Sequence, residues 1–294
     1  MFRFALLLCL AAQVVAAGPV DIDMAAKIYQ AAGIREQVRA SLGAMPAHIR
    51  ELFAAGGSAK LSDQQLAAVS AAAARGFRID VFEAPALAAL AEHLDVPTVK
   101  RTAAFLSSDL GRRMVSADVA VAQIGEANLD KVMDGTTSIA GSPKRDGLIE
   151  KLERATRSAE STVRIFLSMG QAVAVGTAIG SGMDPQAAGD RARQSNDASR
   201  AELAQSMRTP MLRIMAYGYR SLSDSDLKHV LAFVESAPGQ RYIAAYNASM
   251  EAGFDAMGRR TGEQLGESLR ELAQAGTSQS NDLPPAGIAA PASP

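Results

Sequence analysis

Arg113 and Arg241 are the polar residues whose spacing points most directly at chemistry. They hold the same place in two similar stretches, "AFLSSDLGRRM" (104–114) and "AFVESAPGQRY" (232–242). An arginine in the first turn of a helix, beside free backbone N–H groups, can bind a carboxylate or a phosphate. The plainer expectation is an ion pair with an acid on a neighbouring helix. Ser236 would need a base within reach to act as a nucleophile. The nearest histidine, His229, lies on the helix entering the motif, and the first stretch has Arg101 in its place, so no catalysis is expected there. His48, His93 and His229 have no companion at metal-ligand spacing. Met207, Met211 and Met215 recur every four residues, a pattern open to a soft metal. However, Thr209-Pro210 predicts a helix start that breaks the ladder, and Leu212 and Ile214 beside it indicate ordinary core. "GTAIGSG" lacks both the lysine and the preceding strand of a phosphate loop, and the scattered acids define no glycosidase pair. The expectation is no catalytic residue, no cofactor and no metal.

The elements that position these residues are predicted to be helices throughout. Setting position n of the first stretch on position n + 128 aligns Leu94 with Leu222 and runs on without a gap. Identities follow at Lys100/Lys228, Phe105/Phe233, Ser108/Ser236, Gly111/Gly239, Arg113/Arg241 and Gly125/Gly253, among others. Upstream, "PALAAL" (85–90) lies over "PMLRIM" (210–215) after a three-residue slip. This reads as two copies of one helical unit. Within each copy the Ser-x-x-Gly phrase reads as an elbow between helices. Ser108 and Ser236 would cap the outgoing helix, and Pro238 would sit in its first turn, where a missing N–H costs nothing. Gly111 and Gly239 would admit a close backbone, and Phe105 and Phe233 would fill the inside of the bend. Leu227, Val230, Leu231 and Val234 fall on one helical face, as do Tyr242, Tyr246, Met250, Phe254 and Met257. No period-two run suggests a strand.

Composition agrees with an all-α fold. Only 5% of residues are aromatic and none is Trp, so abundant alanine and glycine must pack helices closely. Lys and Arg (30) nearly balance Asp and Glu (31), with no basic block, which argues against nucleic-acid binding. "MFRFALLLCLAAQVVAAGPVD" reads as a secretory leader cut after Ala17, so the expected address is the periplasm or the exterior. Cleavage would remove Cys9, the single cysteine, and with it any disulfide or thiolate chemistry. The expected layout is a leader (1–17), a first helical repeat (18–132), a linker (133–147), a second repeat (148–273) and a disordered tail (274–294). Ser142 and Pro143 suit the N-cap and first position of the helix after the linker. Residues 165–183 carry no charge, a borderline length for a membrane span. The expectation is instead a buried helix packed through Gly176 and Gly180, with an apolar ligand pocket as the functional variant. No stable membrane span is expected once the leader is cut.

The run "YRSLSDSDLKHVLAFVESAPGQRY" (219–242) resembles exported bacterial proteins of the family called domain of unknown function 2059. Leu227, Phe233, Ser236, Gly239 and Arg241 match the family's Phe-x-x-Ser-Pro-x-Gly-x-Lys/Arg turn and its flanks. Pro238 sits one place late, and Leu110 replaces it in the first copy. "KIYQAAGIREQVRASL" (27–42) resembles the family's opening helix. The resemblance covers the C-terminal half more fully than the N-terminal half. It implies a helical fold and export, and no reaction. A hydrolase would need an acid/base set assembled from residues distant in sequence and ranks third, behind two other functions of which the first leads. One is a non-enzymatic module that binds a protein partner or itself. The other is a carrier or sensor of a small apolar or amphipathic ligand held between the two repeats.

Overall fold

The computed structural model describes residues 19–43, 45–56 and 62–281. The leader expected at 1–17, with Cys9, lies outside them, as do residues 282–294 of the expected tail. Among the described residues the chain is all-α. Five helices come first: α1 (Ile22–Ala31), α2 (Ile34–Leu42), α3 (Met45–Gly56), α4 (Asp63–Gly76) and α5 (Ile79–His93). Then follow α6 (Val96–Leu106), α7 (Asp109–Ala122), α8 (Glu126–Met133) and α9 (Pro143–Thr156). The last four are α10 (Ser158–Ser181), α11 (Pro185–Gly218), α12 (Asp224–Glu235) and α13 (Ala237–Asn281), with a short 3-10 turn, Tyr219–Ser221, before α12. Most starts are set by side-chain caps. Asp21, Ser62, Asp95, Ser108, Ser142, Asp184 and Ser223 each accept a backbone N–H from the first turn of their helix.

The 45-residue α13 is the spine. It packs along α10 on one side and along α4, α5 and α6 on the other. The apolar stripe expected from Tyr242 to Met257 faces this core, where Phe82, Leu90, Leu94, Met257 and Leu265 are fully buried. A second cluster joins Leu148, Ile149 and Leu152 of α9 to Leu227, Val230, Leu231 and Val234 of α12. Phe105, Met114, Phe233 and Ile243 touch both clusters, so the expected repeats at 18–132 and 148–273 share one interior.

Contact between α10 and α13 is made through glycine. A Cβ built on Gly176 would stand 2.1 Å from the Arg259 carbonyl oxygen, and one on Gly180 2.2 Å from that of Glu263. From the other side, a Cβ on Gly262 would meet the Val173 oxygen at 2.2 Å, and one on Gly266 the Thr177 oxygen at 2.3 Å. The two backbones therefore touch over several turns, a spacing that no other residue permits. By length and composition α10 could also cross a membrane. It is not wholly buried, however: Phe166 is 56% exposed, while Leu167, Met169, Ala172 and Ala178 are covered. The expected close packing at Gly176 and Gly180 holds, and the expectation of a buried helix is corrected on this outer face.

Both elbows have the same local geometry. The Ser108 hydroxyl donates to the Phe105 carbonyl at 2.6 Å and accepts the Gly111 N–H at 3.0 Å. The Ser236 hydroxyl donates to the Phe233 carbonyl at 2.6 Å and accepts the Gly239 N–H at 3.1 Å. A Cβ on Gly111 or Gly239 would collide with that same carbonyl oxygen, at 2.1 and 2.0 Å. Pro238 lies in the first turn of α13, as expected. The likeness extends upstream, because α2 and α10 are both entered from a left-handed residue, Gly33 (φ 63°) and Arg157 (φ 51°). Both α5 and α11 carry an internal proline, Pro85 and Pro210.

Three further expectations are corrected. Pro210 does not start a helix. It sits inside α11, where packing against α7, α8, α9 and α10 outweighs the ~3 kcal/mol such a residue costs. The linker expected at 133–147 narrows to 134–142, because Pro143 opens α9 with Ser142 as its cap. Residues 274–281 of the expected tail continue α13 as helix.

Candidate functional site

Arg113 and Arg241 are both engaged in ion pairs, and each reaches across to the other half of the chain. Arg113 makes two bonds to the Asp226 carboxylate, at 2.8 and 3.0 Å. Arg241 pairs with Asp95. Asp95 is the N-cap of α6, and Asp226 belongs to the capping box that opens α12, so the two pairs are reciprocal. Arg113, with help from Ser223, holds the Asp226 carboxyl well below the usual carboxylate range. Between the two pairs, Phe105 and Phe233 stack with centroids 3.9 Å apart and planes 6° from parallel. The elbow residues thus come together face to face. Each arginine holds an acid from within the chain, the plainer of the two expectations for Arg113 and Arg241.

The space with chemical character lies beside this contact. A cavity of about 360 Å³, within the range of small-molecule sites, opens between α7 and α13. The turn of α2 and helices α9, α11 and α12 close it. Met114, Val115 and Asp118 line it from α7, and the aligned Tyr242, Ile243 and Tyr246 line it from α13. Equivalent faces of the two helices look at each other across the gap, and they differ most at one place: Asp118 is aligned with Tyr246.

Asp118 is the unexpected residue. Burial pushes its carboxyl up to about 7, opposed only by the Tyr219 hydroxyl, which stands within hydrogen-bonding reach. Some of its surface stays accessible because it faces the cavity and not packed protein. Burial, and the negative charge of Asp118, also raise the Tyr219, Tyr242 and Tyr246 phenols well above their usual value, so all three remain protonated donors. Tyr246 donates to Gln37 Oε1 at 3.2 Å, while the Gln37 amide nitrogen donates to the Ala32 carbonyl at 2.9 Å. The Tyr242 and Tyr246 rings are 6.2 Å apart and tilted by 58°, with Phe233 6.4 Å beyond Tyr242. Met211 and Met215 complete an apolar wall, which is where two members of the methionine ladder go.

Among the described residues nothing assembles a catalytic set. His93 and His229 are exposed and bonded to the carbonyls of Ala89 and Ser225, one turn back on their own helices. The side chain of His48 lies outside what is described. No group of three or more His, Cys, Asp and Glu side chains is placed to hold a metal ion among the described residues. Residues 165–183, for which a ligand pocket was the functional variant of the expected packed helix, are not among those lining this cavity. Sequence reading placed Tyr242 and Tyr246 on the core stripe but missed Asp118 and Tyr219. A lone acid on an Ala/Val/Ser helix carries no local signal, and the offset that aligns Asp118 with a tyrosine was the one clue present. Comparison with protein-family models, with curated proteins and with solved structures finds no match to this chain.

Proposed function

We propose that this is an exported, non-enzymatic carrier or sensor that holds one small amphipathic molecule in the cavity between α7 and α13. One observation carries the reading: an accessible carboxyl without a cation, set in an apolar cavity between the two halves of the chain. Burying an unpaired acid is costly, and such groups gather where a ligand or a reaction uses them. The absence of a base or electrophile beside Asp118 among the described residues favours binding over chemistry. Export rests on the leader read at 1–17, and on the likeness of 219–242 to the exported family named above. The two halves are read as copies of one unit, on the support of the matched elbows, the left-handed residues 33 and 157, and the internal prolines. In this reading the cavity is where the copies have diverged.

Native mass spectrometry of the protein purified from its own host, without organic extraction, tests the carrier. Mass in excess of the chain is expected, and Val115→Trp, which fills the cavity, should abolish it while the protein stays folded. A clean chain mass in the unaltered protein would refute the reading. Association with a protein partner or with itself is the second reading, supported by Phe166 and Met183, left 56% and 59% exposed. It requires a concentration-dependent oligomer in light scattering, or a partner released by Phe166→Ser.

A further inference from the structure

We propose that the cavity selects a small amphipathic amine, its ammonium group paired with the Asp118 carboxylate and its apolar body laid against the Tyr242 and Tyr246 rings. The proposal rests on the carrier reading above and specifies the chemistry of its ligand.

The lining dictates the sign of the charge. α7 contributes Asp118, the turn after α11 contributes Tyr219, and α13 contributes Tyr242 and Tyr246. The lining residues from α2, α9, α10 and α12 include no ionisable side chain, and no Lys, Arg or His lines the cavity among the described residues. The acid therefore has no counter-charge of its own. An ammonium group supplies one, and in a partly desolvated cavity such a pair is stronger than at the surface. A carboxylate ligand would instead place a second negative charge beside Asp118, which either repels it or forces one acid to protonate. A neutral ligand would leave the buried acid as unpaired as it is now. The aromatic wall agrees, because ring faces attract cations within about 6 Å of their centroids. Tyr246 is held in place by Gln37, whose amide is itself anchored on Ala32, so that wall is preorganised. The methionine and valine side chains opposite suit an alkyl or aryl body.

Binding of such a cation is linked to protonation. Burial pushes the Asp118 carboxyl up to about 7, so below that pH the ligand must displace a proton to form the pair, and above it the carboxylate is ready. An alkylammonium group, titrating at about 10, stays charged across the whole range.

Titration calorimetry with matched probes tests this on the mature full-length protein. The probes are 2-phenylethylamine, 2-phenylethanol and 3-phenylpropanoate, with hexylamine, hexanol and hexanoate as a second scaffold, at pH 8.5 and pH 5. At pH 8.5 each amine should bind at least tenfold more tightly than its alcohol, and the carboxylates should not bind measurably. At pH 5 the preference for the amine should shrink several-fold in the unmodified protein, a comparison that needs no variant. Asp118→Asn should reduce the preference to within about twofold at both pH values, with circular dichroism confirming the fold. Alcohol binding as tightly as amine, or carboxylate binding best, would overturn the amine assignment and leave the carrier standing. If neither scaffold binds in any form, the carrier reading falls with it.

Discussion

Replacing Asp118 by Asn should change how the stability of this protein depends on pH. The carboxyl titrates near 7 in the folded chain and near its ordinary 3.8 when unfolded. Between those values the folded state holds a proton that the unfolded state has released. Stability therefore falls as pH rises from about 4 to about 7, and levels off above that. Each pH unit in the window is worth ~1.4 kcal/mol, which sets a ceiling of about 4 kcal/mol. Asp118 faces a cavity that water can enter, and this solvation reduces the expected loss to about 1–3 kcal/mol. Asn is nearly isosteric with the protonated acid and does not titrate. Urea denaturation of both proteins at half-unit steps from pH 4.5 to 8.5 isolates the effect, since every other titrating group cancels in the difference. The variant should match the wild type near pH 4.5 and exceed it by about 1–3 kcal/mol at pH 8. Two parallel curves, separated by the same amount at every pH, would refute the reasoning, because they would mean that Asp118 titrates alike in both states.

The glycine contacts and the elbows carry further expectations. Gly262→Ala should destabilise by about 1–3 kcal/mol in thermal denaturation, because the new methyl would meet Val173 and Thr177 backbone atoms that cannot yield. Gly170→Ala, on the open face of α10 with nothing within 4 Å, should be neutral or stabilising by about 0.5–1 kcal/mol, so equal effects at the two sites would contradict the close packing. Ser108→Ala and Ser236→Ala should each cost about 1 kcal/mol through the lost cap. A double-mutant cycle on Phe105 and Phe233 should return a coupling of about 0.5–1.5 kcal/mol, and a coupling near zero would mean the stacked rings act independently.

Local signals in the sequence proved trustworthy wherever a single turn of chain decides the outcome. Ser108, Ser236 and Ser142 lie at their caps because the cap bond spans three residues and needs nothing distant. The apolar face of α12 is legible for the same reason. Pro210 was misread because helix-breaking is a local cost, while the packing that overrides it comes from helices elsewhere in the chain. Gly258, Gly262 and Gly266 recur every four residues, a pattern open to reading, yet their partners on α10 could be named only once the two helices were seen side by side. The arginines were found by alignment, but their partners Asp226 and Asp95 lie 113 and 146 residues away. Asp118 was the least legible, since its neighbours in sequence are unremarkable and the tyrosines that define its surroundings begin at position 219.

The reciprocal arginine pairs also bear on what the peptide link between the halves contributes. Residues 134–142 carry no regular helix, while Arg113 and Arg241 each finish a helix start on the far side of that loop. Phe105 and Phe233 seal the same seam, and α13 runs back along α4, α5 and α6. Continuity at the loop is thus a matter of manufacture more than of cohesion. A protease nick between Gly135 and Gly141 would leave two fragments that migrate as one particle until denatured, and a chain permuted to begin in this loop would have its native neighbours waiting.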